Sequence, residues 1–212
     1  MHKFDIREKG SSLREASRAL VILHGRGSTA ENILPLADYF TDDTWYIAAP
    51  QATGLQWYPY SFMAPSDKNE PWLGSAIDYV RKIIEDISGY VDYQDIYLMG
   101  FSQGACLSAE VAARYALGYG GLAVFTGGLI GEMLNAENYS GHFEGTRIYM
   151  SNGDDDPHIP MGRSAETRDQ LIRMGADVKM DIFPGREHTI IQEEIDNAYN
   201  FLFLSDKQEN SP

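Results

Sequence analysis

Cysteine is almost absent from this chain of 212 residues, with Cys106 the single example. No internal disulfide can form, and the sequence suits a reducing, cytoplasmic setting. Positive charge is scarce as well: 17 Lys and Arg stand against 31 Asp and Glu, a formal net charge of −14. Nucleic acids and anionic lipid surfaces attract clustered Lys and Arg, and no stretch supplies such a cluster. Long apolar runs are also missing. Residues 1–5 lack the apolar segment of a secretion signal, and the longest early apolar run, 19–23, is far too short to span a bilayer. No integral membrane association is expected. Nor is there a nucleotide signature: neither Gly-x-Gly-x-x-Gly nor a phosphate loop ending in Lys-Ser/Thr occurs. The three adjacent carboxylates Asp154, Asp155 and Asp156 lack the alternation, the glycine and the terminal Glu of a calcium loop. No metal and no organic cofactor is expected.

What is present is the material of a globular core. Hydrophobic residues make up 43%, with 13 Tyr, 9 Phe and 3 Trp, enough aromatics to line a cleft as well as fill a core. No linker or composition break divides the chain, so residues 1–212 are read as one domain, with a short polar tail at 205–212 expected to fray. Short β-rich runs at 18–23, 45–49, 95–99, 122–125, 147–150 and 178–183 alternate with helical patterns at 31–40, 71–87, 104–117, 162–174 and 190–204. Residues 4–7 suggest a leading edge strand. Continuous apolarity in strands such as 19–23 is the mark of a parallel sheet covered on both faces. The fold class is therefore α/β: an open, doubly wound, mostly parallel sheet with helices on both sides and no room for a large cap domain. Such sheets bind ligands beyond the carboxyl ends of their strands.

The loops at those ends carry the chemistry. After the 95–99 strand comes Gly100-Phe101-Ser102-Gln103-Gly104, a pattern in which two glycines let strand and helix close tightly around a strained serine. By itself the pattern decides little, since chance supplies roughly 0.1 matches in a chain of this composition. Cys106, one helical turn further on, reads as a small buried filler. His24-Gly25-Arg26-Gly27 follows the first strand and reads either as a plain tight turn or as an oxyanion loop, in which the glycines free the backbone N–H of Arg26 to join that of Gln103 in holding the charge. His24 reads as structural. Ser28 and Glu31 have capping-box spacing for the next helix, as do Thr189 and Gln192 for the last. The aromatic loop 57–63 fits a pocket wall, with Trp57 and Tyr58 as candidate lining, or a packed connection. Thr126-Gly127-Gly128-Leu129 reads as either a pocket lining, with Leu129 the candidate, or a turn. The 154–156 run reads either as a solvated acidic turn or, in an acyl-transfer site, as one carboxylate that orients a histidine with the other two capping the loop, and His188 stands on the last loop before the final helix. A carboxylate partner is needed there, because the positive helix end disfavours imidazolium. Asp156 is a candidate for it.

Serine, aspartate and histidine thus follow three different strands in the order Ser102, Asp156, His188, the order of α/β hydrolases. With Leu23-His24-Gly25-Arg26-Gly27, Gly100 to Ala105, Gly153-Asp154-Asp155-Asp156-Pro157-His158-Ile159-Pro160 and His188, nearly the whole chain resembles the phospholipase/carboxylesterase family of small α/β hydrolases. That family includes acyl-protein thioesterases and bacterial carboxylesterases. The resemblance implies that the acid is the residue before the proline, Asp156. His-Gly-Arg-Gly is similar to the bacterial members; Arg186-Glu187-His188 departs from their more usual Gly-His pairing. The activity implied is hydrolysis of small or medium acyl esters through an acyl-enzyme, with Ser102 as nucleophile and no cofactor. The same residues also suit a thioester, a lactone or an activated carbon–carbon substrate. The reading from another class is a small-molecule binder that keeps the fold without the chemistry. The partner is a small-molecule ester, and a homodimer is compatible with the sequence.

Overall fold

The computed structural model describes residues 1–204; the expectation of a frayed tail at 205–212 lies outside the described residues. The apolar runs form a seven-stranded sheet of β1 (Ile6–Gly10), β2 (Arg18–Leu23), β3 (Trp45–Pro50), β4 (Ile96–Phe101), β5 (Gly121–Phe125), β6 (Arg147–Gly153) and β7 (Asp177–Phe183). Their spatial order is β1-β3-β2-β4-β5-β6-β7. Every neighbouring pair is parallel except β1, which lies antiparallel on the β3 edge. Residues 19–23 of β2 and all of β3 and β5 are buried, which explains their uninterrupted apolarity.

The helices are α1 (Ala30–Ala37), α2 (Ser66–Asn69), α3 (Trp72–Ser88), α4 (Gln103–Arg114), α5 (Met161–Arg173) and α6 (Gln192–Tyr199). Leu73, Ile77, Val80 and Ile84 of α3, Leu107 and Val111 of α4 and Leu171 of α5 fill the core on one face of the sheet. Ala30 and Ile33 of α1 with Ile195 and Ala198 of α6 fill the other. Residues 103–113 of α4 are all buried. A helix enclosed in this way is crowded by its neighbours, hence its Gly, Ala, Cys and Ser content, and its buried Glu110 is paired with Arg114 at 2.7 Å.

Four sequence expectations are corrected. The edge strand runs over Ile6–Gly10 rather than 4–7, because its backbone pairs with β3 from Ile6↔Pro50 to Gly10↔Tyr46. The cap of α1 is Thr29, whose side chain accepts from the Asn32 backbone, and not Ser28. At α6 the Glu194 carboxylate accepts from the Ile191 backbone at 2.8 Å, while Thr189 belongs to the preceding loop. The last helix ends at Tyr199 and continues as one wider turn, Asn200–Leu204.

The strand order positions the site. From β2 the chain crosses outward to β3, then returns to β4 beside β2 and proceeds outward in the opposite direction through β5, β6 and β7. The crossovers leaving β2 and β4 therefore diverge, and a crevice opens between their carboxyl ends. The turns after these two strands carry Arg26 and Ser102.

Candidate active site

Ser102 sits between β4 and α4 with φ 55° and ψ −120°, a conformation costing an L-residue on the order of 1–3 kcal/mol. Its surroundings hold it there. The Ser102 amide donates to Phe125 O at 3.0 Å, and its carbonyl accepts from the Cys106 amide at 2.9 Å. A Cβ on Gly100 would lie 2.4 Å from Gly104 C, and one on Gly104 would lie 2.2 Å from Leu23 O. Both glycines are thus fixed by backbone contact, and the hydroxyl is carried out to the strand ends.

There Ser102 Oγ meets His188 Nε2 at 2.7 Å, and His188 Nδ1 meets Asp156 Oδ2 at 2.8 Å. With Nδ1–H donating to the carboxylate, Nε2 is left to accept from the serine hydroxyl. The Asp156 side chain is fully buried. Its other oxygen accepts from the backbone N–H of His158 at 2.7 Å and of Ile159 at 3.2 Å. Burial pushes this carboxyl up, but the hydrogen bonds from His158, from the His188 ring and from Ile159 outweigh it and hold Asp156 below the usual carboxylate range. The other two carboxylates of the run face elsewhere: Asp154 and Asp155 are exposed, and Asp154 Oδ1 accepts from the Gly185 amide at 2.7 Å.

Gln103 is the first residue of α4, so its N–H has no intrahelical acceptor and lies next to Ser102. The 25–27 turn packs beside it, and a Cβ on Gly25 would come within 3.4 Å of Ser102 Cβ. The side chains of these two residues have a second use. The Arg26 guanidinium donates to Gln56 Oε1 and to the carbonyls of Tyr58, Pro59 and Tyr60 at 2.6–2.9 Å. Gln103 accepts from the Trp57 amide and donates to Tyr58 O, both at 2.8 Å. The aromatic loop is thereby strapped over the crevice.

The resulting cleft of about 390 Å³ is lined by Tyr58, Tyr60, Phe62, His158 and Ile159 around Ser102 and His188. Tyr58 is where the sequence suggested; Trp57 and Leu129 are not. The Trp57 indole points inward and donates to His24 O at 2.8 Å, its ring against His2 and His24. Leu129 is fully buried, with its N–H on Thr167 and its carbonyl on Arg163. Loop residues follow no period, so their apolarity alone does not separate wall from core.

His24 is structural: Nδ1 donates to Gly25 O at 2.8 Å, and Nε2 accepts from the Ala52 amide at 3.1 Å. Burial lowers its pKa and keeps it neutral. Cys106 is buried at the floor of the cleft, where burial pushes its thiol up to about 12, so it stays protonated and unreactive. Among the described residues no group of His, Cys, Asp and Glu could hold a metal ion. His158, which stands two residues after Asp156 in the Gly153–Pro160 motif, supports both Asp156 and His188. Its amide fixes Asp156, and its ring stands edge-on to His188 at 4.7 Å between centroids. The readable signal was an Asp whose side chain can accept from the amides two and three residues on.

A mostly parallel sheet with a strained serine at a strand-to-helix elbow, hydrogen-bonded through histidine to a buried aspartate, defines an α/β hydrolase of the serine type. The sequence model of the phospholipase/carboxylesterase family matches residues 6–205, and the chain belongs to that family. The crystal structure of a phospholipase/carboxylesterase from Dyadobacter fermentans is 44% identical, with a TM-score of 0.93 over 95% of this chain and 97% of that one. A probable carboxylesterase, SOBER1-like, of Arabidopsis thaliana is 29% identical over 140 residues, 66% of this chain. That match spans about half of the relative's length, 53%. Acyl-protein thioesterase 1 of Saccharomyces cerevisiae is 21% identical over 223 residues, 91% of this chain and 94% of that protein.

Proposed function

We propose that this protein hydrolyses carboxylic esters of small or medium acyl groups through an acyl-enzyme, with Ser102, His188 and Asp156 as its catalytic triad. The observation that carries the reading is the pair of contacts at 2.7 and 2.8 Å that join Ser102 and His188, which line the cleft, to the buried Asp156 behind them. Ser102 Oγ attacks the acyl carbonyl carbon while its proton passes to His188 Nε2. Asp156 accepts the Nδ1–H bond throughout and stabilises the imidazolium without taking the proton. The carbonyl oxygen gains charge and is held by the N–H groups of Arg26 and Gln103. Collapse of the tetrahedral intermediate returns the proton from His188 to the departing alcohol. Water then repeats the sequence on the acyl-serine and releases the acid.

The substrate is a small molecule that reaches the serine through the cleft under the aromatic loop. A cytoplasmic location fits a chain with one buried thiol, and no helix of the described residues is long and apolar enough to cross a membrane. Thioesters are the second reading, favoured by the full-length likeness to a protein named acyl-protein thioesterase 1. Rates on matched nitrophenyl esters and acyl thioesters of increasing chain length separate the two. In the same assay Ser102→Ala is expected to lower kcat at least ~10³-fold. Full activity in that variant would sink the assignment, and loss confined to thioesters would favour the second reading.

A further inference from the structure

We propose that Arg186 is a positioning residue that sets His188 in its working geometry by gripping the chain on both sides of it. The proposal rests on the ester-hydrolase reading, in which His188 is the base. Arg186 stands two residues before His188, and its side chain is only 4% exposed.

One nitrogen, Nη1, donates to the carbonyl of Glu187 at 2.8 Å and to that of Thr189. These are the residues immediately before and after His188, so a single planar group fixes the peptides that carry the ring. The other nitrogen, Nη2, donates to Thr126 Oγ1 at 2.9 Å, just beyond β5, and lies 3.3 Å from Glu194 Oε1 in the first turn of α6. Glu194 is fully buried, and its second oxygen holds the Ile191 amide. The guanidinium thus refers the histidine loop to the sheet on one side and to the last helix on the other. The backbone joins in: a Cβ on Gly153 would come 1.9 Å from Arg186 O, so the loop is pressed against the end of β6, three residues before Asp156. Base and acid are held in register by the same residue, which itself lies outside the cleft lining.

A fork of donors in one plane is what these partners require. Lysine keeps a positive charge opposite Glu194, but a single ammonium on a flexible stem cannot reproduce the geometry toward Glu187, Thr189, Thr126 and Glu194 together. Neutral replacement of Arg186 alone strands a buried carboxylate and threatens the fold, so the informative variants are Arg186→Lys and the double variant Arg186→Met with Glu194→Gln.

Each is compared with wild type for thermal unfolding, for kcat and KM on a nitrophenyl ester, and for the low-field proton resonance of the His188–Asp156 hydrogen bond. Both variants are expected to be folded at assay temperature, with kcat lowered about 10²-fold, as for an angstrom-scale misplacement. KM is expected to stay within about 2-fold, since Arg186 touches no substrate, and the low-field resonance to broaden or vanish. Wild-type kcat in either folded variant, or an unchanged resonance, overturns the proposal. Unfolding of both variants overturns it too, by making Arg186 a residue of the fold alone. Failure of the wild type to hydrolyse any ester defeats the ester reading instead, and the resonance still reports whether Arg186 holds His188.

Discussion

Replacing Asp156 with asparagine changes one atom and reverses a hydrogen bond. Asp156 Oδ1 accepts from two backbone amides, those of His158 and Ile159, at 2.7 and 3.2 Å. An asparagine must keep its oxygen there, because its NH₂ group would face two donors. The amide nitrogen is then forced into the place of Oδ2, 2.8 Å from His188 Nδ1, where it too is a donor. Nδ1 must become an acceptor, so the ring proton moves to Nε2 and points at Ser102 Oγ. In that tautomer the imidazole cannot take the serine proton. The expected loss is about 10⁴-fold in kcat, by analogy with other serine triads, or about 5.5 kcal/mol of transition-state stabilisation. The assay is hydrolysis of a nitrophenyl ester by Asp156→Asn and wild type, with urea unfolding from neutral pH down to pH 3. Asp156 has a lowered pKa in the folded protein, so the stability it adds is present above the ordinary carboxylate range and lost as pH falls through the folded value. The variant is therefore expected to be less stable than wild type at neutral pH and to approach it on acidification. A kcat within tenfold of wild type would refute the tautomer argument, and a stability gap that widens in acid would refute the sign of the linkage.

Two further substitutions probe the supports of the site. Gly104→Ala places a methyl carbon 2.2 Å from Leu23 O, a backbone atom at the end of β2, and is expected to cost at least about 1–3 kcal/mol in chemical denaturation while slowing turnover; unchanged stability would mean that α4 does not pack so closely on β2. Arg26→Leu keeps the backbone N–H but removes three hydrogen bonds to the aromatic loop and one to the adjoining Gln56; a roughly tenfold rise in KM, worth about 1.4 kcal/mol, and faster proteolysis within 57–63 are expected, and a kcat-only effect would contradict the strap.

The parts of this molecule that follow a period were legible in its sequence. Residues 19–23 and 122–125 are apolar throughout because both faces of the sheet are covered, and α3 shows its buried stripe because only one side meets the core. The three loops bearing Ser102, Asp156 and His188 could be aligned because strand ends are predictable where strands are. The errors fall where no period operates. Ile6–Gly10 is an exposed edge with a single large apolar residue, so its register depends on pairing with β3 rather than on pattern. Trp57 and Leu129 follow strands as pocket residues do, yet both lie in the core, where the Trp57 indole donates to His24 O and the Leu129 amide donates to Thr167 Oγ1. Arg186 and Glu194 were invisible as buried groups, since charged residues are ordinarily exposed and only the tertiary fold brings this pair together.

The acyl-enzyme on Ser102 is the central claim, and intact-protein mass spectrometry on rapidly quenched reactions tests it most directly. Mixing with a nitrophenyl ester and quenching in acid should give a species heavier than the free protein by one acyl group less one hydrogen, located on the peptide that contains Ser102, and absent from Ser102→Ala. An adduct on another residue, or the same adduct in Ser102→Ala, would contradict it.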